Sequence, residues 1–273
     1  MNKVYQVYQV SDSTGEALDR IFLAIKAQFL DFECKTIHYS FTRTENQIDK
    51  IIAKCKEEKN VIILYTIIDK NLSKSLADKC KENNIPSFEI LGNIISDFSK
   101  LLKKEPIRKP GGQHVLDEEY YNRIEAVQFT ISHDDGKKIS DLEKSDVILV
   151  GVSRTSKTPT SIYLANRGYK VSNIPIIPNK DLPLELIESS KKTCVVGLVC
   201  DVTRLLDVRR NRIHSMNEDR PVDYTNEKKI LNELESSKQL FKKYSWPIID
   251  VTRKSVEETA ASIIKILDIL NSR

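Results

Sequence analysis

The sequence predicts an α/β protein with two domains, each built on a parallel sheet. Short runs of apolar, β-branched residues alternate with amphipathic helical patterns along most of the chain. This order is typical of parallel strands covered by helices on both faces. A basic stretch rich in proline and glycine separates two such series at Lys103–Gly112. With 273 residues, the chain is long enough for two domains of ordinary size.

Composition narrows the classes of function. Hydrophobic residues make up 40% and charged residues 30% of the chain, a balance typical of soluble globular proteins. The net charge of +4 is too small and scattered to indicate nucleic-acid binding, although it suits a groove for anionic phosphates. The sequence has neither an apolar leader nor an apolar run of membrane-spanning length, so we expect neither secretion nor membrane insertion. An odd number of cysteines without metal-ligand spacing indicates reduced thiols in a cytoplasmic protein.

The N-terminal half contains four strand–helix pairs. Its third strand is a continuous apolar run, as expected for a strand in the middle of a parallel sheet. The predicted strands are Val4–Val10, Cys34–Phe41, Val61–Thr66 and Pro86–Leu91. The predicted helices run from Glu16 to about Phe29, from a capping box at Thr42–Glu45 to about Glu58, from Lys70 to Asn83 and from Gly92 to Lys103.

The second half repeats this alternation after a connecting segment. We place the domains at residues 1–104 and 105–273, with the connecting segment over 105–145 in the second. The predicted strands are Asp146–Val150, Lys170–Ile177, Thr193–Cys200 and Trp246–Val251. Helices are predicted at about 117–130, 159–166, 201–213, 226–243 and 254–270, the last opened by a capping box at Ser255–Glu258.

The strand over Asp146–Val150 leads into Gly151-Val152-Ser153-Arg154-Thr155-Ser156-Lys157-Thr158, and a helix follows. This layout matches the phosphate-binding P-loop, G-x-x-x-x-G-K-[ST], except that Ser156 replaces the second glycine. Backbone N–H groups of such a loop and of its helix bind phosphates. Lys157 would reach the terminal phosphates, and Thr158 would bind Mg²⁺. A strand-to-helix turn with a basic residue at its tip is the alternative.

Two residues of this loop carry further expectations. Serine can replace the glycine only if φ at Ser156 is in the ordinary range, so the loop should differ in shape from the standard one. Lys157 has little reason to pack, because the dipole disfavours a cation at the start of a helix. The sequence thus predicts a Rossmann-like first domain, although without a G-x-G-x-x-G motif, and a P-loop kinase-like second domain.

A polar cluster follows the first strand, where open parallel sheets place their ligands. Asp12 and the hydroxyls of Ser11, Ser13 and Thr14 could hold a phosphate or a phosphorylated side chain. Because Ser13–Glu16 also fits a helix capping box, both interpretations stay open.

A second polar cluster, His133-Asp134-Asp135-Gly136, lies upstream of the P-loop. Phosphoryl transfer needs a carboxylate that orients or deprotonates the acceptor hydroxyl, and a further carboxylate can bind Mg²⁺. Asp134 and Asp135 are our candidates for these roles. For the motif alone, an Asp-Gly turn is the simpler interpretation.

Three further features each allow two interpretations. Asp201 could be a Walker B carboxylate, although capping of the helix that follows is the favoured role. Gly111–His114 could be a flexible loop over the site or a plain linker. A group of arginines on one helix could bind phosphates or form a solvated basic face; its members are Arg204, Arg209, Arg210 and Arg212.

Taken together, these motifs resemble the pyruvate, phosphate dikinase regulatory proteins, a bifunctional family that also includes regulators of phosphoenolpyruvate synthase. The resemblance runs nearly end to end, and Ser156 fits this family's version of the loop. It rests on Ser11–Glu16, Pro110-Gly111, His133–Gly136 and Gly151–Pro159, and on the later Asn173–Pro175, Gly197-Leu198, Arg209-x-x-Arg212 and Glu257–Ala260.

The resemblance implies an unusual kinase. Members use ADP rather than ATP to phosphorylate a threonine of the dikinase near its phosphorylated catalytic histidine, which inactivates the dikinase. They reverse this step with inorganic phosphate and release pyrophosphate. Gly151–Thr158 would then bind ADP, with Mg²⁺ at Thr158. The catalytic candidates are Lys157, Arg154, Asp134 and Asp135, and the candidates for binding substrate or phosphate are Ser11, Asp12, Ser13, Thr14, Arg209 and Arg212.

Because the P-loop lies in the second half, we assign recognition of the protein target to the first domain. Its opening Ser11–Gly15 is more similar to the dikinase regulators than to the synthase regulators. The alternatives are the same chemistry on phosphoenolpyruvate synthase, an ATP-dependent small-molecule P-loop kinase, and a non-catalytic nucleotide sensor. Whether the chain forms a homodimer is left open.

Overall fold

The computed structural model describes residues 3–112, 118–177, 180–216 and 222–272. The chain forms two compact units, Met1–Val115 and Leu116–Arg273. Each unit contains a four-stranded sheet in which every pair of neighbouring strands is parallel. The predicted α/β class is therefore confirmed.

The first unit has the strand order β2-β1-β3-β4. Its strands are β1 (Tyr5–Ser11), β2 (Cys34–Tyr39), β3 (Val61–Thr66) and β4 (Ser87–Glu89). Its helices are α1 (Glu16–Lys26), α2 (Glu45–Glu57), α3 (Lys70–Glu82) and α4 (Gly92–Leu102). The central position of β3 explains its continuous apolar sequence, because such a strand is covered on both faces.

The capping box of α2 lies two residues later than the sequence predicts. Thr42 does not cap the helix, because its hydrogen bonds go to residues outside it. Its N–H donates to Ser11 O at 2.8 Å, and its hydroxyl donates to Tyr39 O at 3.2 Å. Thr44 has extended backbone angles, and its Oγ1 accepts from Gln47 N at 3.4 Å. Thr44 is therefore the N-cap, because it is the threonine whose hydroxyl faces the first turn.

The second unit has the strand order β6-β5-β7-β8. Its strands are β5 (Val147–Gly151), β6 (Val171–Pro175), β7 (Cys194–Val199) and β8 (Ile248–Asp250). Its helices are α5 (Glu118–Ser132), α6 (Lys157–Ala165), α7 (Leu184–Ser189), α8 (Val202–Met216), α9 (Glu227–Lys243) and α10 (Val256–Asn271). The sequence did not predict α7, whose six residues are too few for a helical period. The capping box at Ser255 and Glu258 is present.

The central strand β5 fixes where the P-loop begins. Val147 to Val150 are fully buried. At Gly151 a Cβ atom would lie 2.6 Å from the backbone oxygen of Leu198 and 2.7 Å from Thr155 Oγ1, so this position has room for glycine alone. The next two strands in the chain pair with β5 on opposite sides, β6 on one side and β7 on the other. Open α/β sheets bind ligands at the carboxyl ends of strands at such a switch point.

The structure bears on the state of the cysteines and on membrane insertion. All five cysteines lie within the described ranges and are free thiols. Of the helices in those ranges, none is both long and apolar enough to span a bilayer.

Candidate active site

The P-loop connects β5 to α6 and contains two residues with left-handed backbone angles. Ser156 has φ 60° and ψ 20°, and Arg154 has φ 75°. The expectation of an ordinary φ at Ser156 is therefore wrong, because the serine adopts the conformation that glycine normally supplies. For residues other than glycine this conformation costs on the order of 1–2 kcal/mol, so the loop is held in shape by its surroundings.

Lys157 lies inside the loop rather than on its surface. Its side chain is 5% exposed, and Nζ donates to Val152 O at 3.0 Å. Thr155 Oγ1 donates to the same carbonyl, also at 3.0 Å. The expectation that Lys157 has little reason to pack is wrong, because the loop wraps around the ammonium and supplies an acceptor for it.

Burial lowers the pKa of Lys157 from 10.5 to about 8. The negative charges of Asp135 and Asp134 oppose this change, whereas the positive charges of Arg154 and Arg209 add to it. The ammonium is thus still charged at neutral pH, but it lacks full compensation from the protein. Such a cation at a helix start favours a bound anion.

The acidic turn meets the P-loop directly. Residues Asp134–Gly136 form a 3-10 turn after α5, with left-handed φ values of 56° at Asp135 and 71° at Gly136. Thr158 Oγ1 donates to Asp134 Oδ1 at 2.9 Å. The Asp-Gly turn interpretation is correct for the backbone, but it does not exclude a functional role, since the turn places a carboxylate at the first turn of α6.

Asn173 joins these two groups and was missed as a site residue from the sequence. It lies in β6 and is fully buried. Its Nδ2 donates to Asp134 Oδ1 and to Thr158 Oγ1 at 3.2 Å. Two adjacent polar residues, Ser172 and Asn173, between the apolar residues of a predicted strand were the available signal. The Asn173 amide fixes the orientation of both the carboxylate and the hydroxyl.

His133 supports the acidic turn from the core side. Its ring stacks on Phe129 with centroids 3.8 Å apart, and its Nε2 lies 2.8 Å from Asp141 Oδ1. The pKa of Asp141 is held well below its usual range by hydrogen bonds from Lys138 and then His133. The His133 carbonyl accepts from Asn173 N at 3.2 Å. These contacts make His133 an anchor for the turn rather than a group that faces the loop.

The four arginines of α8 do not act as one surface. Arg209 is 1% exposed, and its guanidinium donates to Glu233 at 2.7 Å and to Ser153 O at 3.4 Å. Arg209 therefore supports the loop through the backbone of Ser153. For this residue the interpretation as part of a solvated basic face is wrong. Arg204 and Arg210 are exposed and Arg212 is half-buried. Asp201 caps α8, since its Oδ1 accepts from Arg204 N at 2.6 Å.

The polar cluster of the first unit lines a cavity of about 200 Å³ at the carboxyl end of β1. Gly15, with φ 86°, is the N-cap of α1, and no side chain caps this helix. The capping-box interpretation of Ser13–Glu16 is therefore wrong. Asp12 is 2% exposed, and its Oδ2 accepts from Ile68 N at 2.6 Å. Burial raises the pKa of Asp12 against the effect of that hydrogen bond.

Neighbouring residues complete this cavity. Ser11 Oγ accepts from Thr66 Oγ1 at 3.1 Å and from Ser13 N at 3.2 Å. Lys109, Gly111 and Gly112 also line the cavity. Gln113 and His114, the other half of the loop expected over the site, lie outside the described residues.

A loop with this P-loop-like sequence, a buried lysine and a carboxylate against its threonine is an arrangement suited to phosphoryl transfer. The family model described as "Kinase/pyrophosphorylase" matches residues 7–264. The chain therefore belongs to the kinase/pyrophosphorylase family, whose chemistry uses nucleotide and phosphate.

Full-length relatives agree with this assignment. A protein of Pelagibacter ubique is 56% identical over 269 residues, which cover 98% of each chain. A protein of Sphingopyxis alaskensis is 42% identical over 262 residues, 96% of each chain. One from Bradyrhizobium diazoefficiens is 41% identical over 266 residues, 97% of this chain and 95% of its own. All three are named as pyruvate, phosphate dikinase regulatory proteins, so the family resemblance drawn from the sequence is confirmed.

The lowered pKa of Lys157 predicts a specific pH dependence of stability. Between pH 8 and 10.5 the unfolded chain holds a proton on Lys157 that the folded chain releases, so the free energy of unfolding rises with pH in this window. Lys157→Met removes the group. The stability of the wild type minus that of the variant should increase by on the order of 3 kcal/mol across the window, since a tenfold change in proton affinity is worth about 1.4 kcal/mol. Urea unfolding at several pH values measures this difference, and a constant difference would contradict the prediction.

Proposed function

We propose that this chain is a bifunctional regulator of pyruvate, phosphate dikinase. It inactivates the dikinase by transferring the β-phosphoryl group of ADP to a threonine, and it reactivates the dikinase by phosphate-dependent removal of that group. The contact between Thr158 and Asp134 carries the proposal, because it brings the acidic turn, with both of its aspartates, to a loop suited to phosphate binding. The family assignment supports phosphoryl transfer, and the names of the relatives support the target.

The donor groups of the loop fit a diphosphate. The N–H groups of Gly151–Thr158 and the start of α6 supply anion contacts. The buried ammonium of Lys157 and the Arg154 guanidinium neutralise charge that develops on the transferred phosphoryl group. This arrangement explains why a lysine is kept in a site that lowers its pKa.

Mg²⁺ also fits this site. The Thr158 hydroxyl and the Asp134 carboxylate are hard oxygen ligands of the kind that Mg²⁺ prefers. No group of three or more His, Cys, Asp or Glu in the described ranges could form a metal cage. A site with one or two protein ligands suits Mg²⁺, which usually retains waters and shares the phosphates of its substrate. When bound, the ion would neutralise phosphate charge.

The two aspartates have different surroundings, which suggests different roles. Asp134 accepts from Thr158 and Asn173, so its carboxylate is engaged with the start of α6. Asp135 is exposed and close enough to Lys157 for its charge to be the largest influence that raises the pKa of that lysine. We assign Asp135 to accept the proton of the threonine hydroxyl and Asp134 to hold Thr158 and Mg²⁺ in place.

The reverse reaction uses the same groups. An oxygen of inorganic phosphate forms a bond to the phosphorus of phosphothreonine, and the bond from that phosphorus to threonine Oγ breaks. The threonine oxygen takes back a proton from Asp135, and pyrophosphate leaves. One cradle serves both directions, because phosphate then binds where the β-phosphoryl group of ADP would lie.

Lys157→Ala should abolish both activities together. Loss of one preorganised electrostatic contact typically reduces a rate by about 10²–10³-fold. The assay follows threonine phosphorylation of the dikinase with ADP or ATP, and pyrophosphate release with phosphate, on the same preparation. The melting temperature serves as the folding control. A modest fall is expected because Lys157 is buried and donates to Val152 O, and a cooperative unfolding transition above the assay temperature shows that the variant is folded. Loss of one activity alone would show that the two reactions use separate sites, and wild-type phosphorylation with ATP but not ADP would reject the proposed donor.

Substitution of the two aspartates by asparagine separates their roles. Asp135→Asn should reduce the kinase rate by about 10²-fold or more, the usual scale of a general base, with little change in ADP affinity. Asparagine tolerates the left-handed φ at this position, so the backbone turn is preserved. Asp134→Asn should raise the Mg²⁺ concentration needed for the half-maximal kinase rate, because it removes one proposed ligand of the ion. Full kinase activity in both variants would exclude both aspartates as the acceptor base.

We assign recognition of the protein target to the first unit. Its cavity combines the start of α1, which no side chain caps, with the lining residues Ser11, Thr14 and Lys109. These donors suit a phosphorylated side chain, and the buried carboxylate of Asp12 suits a hydrogen-bond donor on the same target. The five free thiols are consistent with a cytoplasmic setting for this reaction.

Asp12→Ala should impair transfer to the dikinase more than it impairs ADP binding. We expect the KM for the dikinase to rise about tenfold or more, the scale of one lost hydrogen bond to a charged group, while the dissociation constant of ADP stays within about twofold. Steady-state kinetics and calorimetry measure the two quantities. Asp12→Asn, which keeps the size of the side chain, controls for packing. An equal loss of ADP affinity would contradict this division of labour.

A further inference from the structure

One tyrosine from outside the P-loop reaches its first half. Tyr224 lies in the short 3-10 turn between α8 and α9. Its hydroxyl is 3.5 Å from Ser153 Oγ and accepts from Arg154 Nε at 3.4 Å. The phenol oxygen thus lies between the Ser153 hydroxyl and the Arg154 guanidinium, a position suited to an oxygen of a phosphate.

Buried contacts hold this tyrosine in place. The Arg209 guanidinium lies 4.7 Å from the centre of the Tyr224 ring, and Arg209 Nη1 donates to the Tyr224 carbonyl at 3.2 Å. Arg209 is itself fixed by Glu233, with a separation of 2.7 Å between Nη2 and Oε2. Both the ring and the backbone of Tyr224 are therefore tied to the same buried ion pair that supports Ser153.

We propose that the Tyr224 hydroxyl sets the number of phosphates that the loop accepts, so that a nucleoside diphosphate fits and a triphosphate does not. This inference rests on the proposed function. The loop's N–H groups and Lys157 hold two phosphates. A third phosphate would extend beyond these groups, where the Tyr224 hydroxyl already contacts Ser153 Oγ and Arg154 Nε.

The phenol lies in positively charged surroundings. Burial by itself raises the pKa of Tyr224, but hydrogen bonds with Ser153 and Arg154 and the charges of Arg154 and Arg209 outweigh it and lower the pKa. These cations favour negatively charged oxygens here, so the phenol excludes a third phosphate by occupying the contacts and not by charge repulsion. A third phosphate would have to displace the phenol and also leave an anchored aromatic ring without its hydrogen bonds.

The test is Tyr224→Phe, which removes the hydroxyl and keeps the ring over Arg209. Calorimetry with ADP and with ATP, each with Mg²⁺, gives the ratio of the two affinities. The wild type should bind ADP at least tenfold more tightly than ATP, and the variant should reduce this preference about tenfold through tighter ATP binding. The matched control is Tyr163→Phe, because Tyr163 also accepts from an arginine, Arg167 Nη2 at 2.8 Å, without a contact to the loop.

Each outcome decides the question. A reduced preference in Tyr224→Phe with an unchanged one in Tyr163→Phe supports the proposal. A wild type that binds ADP but keeps its preference in Tyr224→Phe overturns this role of Tyr224 and leaves the proposed function standing. A wild type that binds both nucleotides equally well also overturns this role. A wild type that binds neither nucleotide overturns the proposed function and this inference together.

Discussion

The burial of one ammonium group is the constraint on which the rest of the second unit depends. A buried charge is costly unless polar partners compensate it, and Lys157 receives one carbonyl hydrogen bond and the field of two aspartates. Val152 has to present its carbonyl inward, which sets the bend of the loop. The acidic turn has to lie near the loop, since without its negative charge the lysine would lose protons more readily still.

The surrounding contacts hold these partners where the lysine needs them. The acidic turn is fixed at one end by the packing of His133 between Phe129 and Asp141 and at the other by Asn173. On the opposite side, the Arg209–Glu233 pair supports the loop. The strained residues of the loop are tolerated because both sides are braced in this way. Helices α5, α8 and α9 thus contribute to a site that none of them enters.

Features that depend on local sequence were predictable, and features that depend on distant contacts were not. The strand and helix order followed from periodicity, and the P-loop followed from the spacing of Gly151, Lys157 and Thr158. The left-handed Ser156 contradicts its own local preference, so only its surroundings could reveal it. Asn173 and Tyr224 reach the loop from 15 and 71 positions away in sequence. No periodic pattern carries such information, and the same holds for the burial of Lys157.

Gly151 has a mechanical consequence. Because a backbone carbonyl lies where its side chain would be, the departure point of the loop cannot shift without breaking the contact between β5 and β7. The far end is equally fixed, since α6 starts at Lys157. Any adjustment to a ligand is therefore confined to rotations of the few peptide groups between Val152 and Ser156. Because both ends of the loop are fixed, the loop favours one defined backbone geometry over a range of geometries.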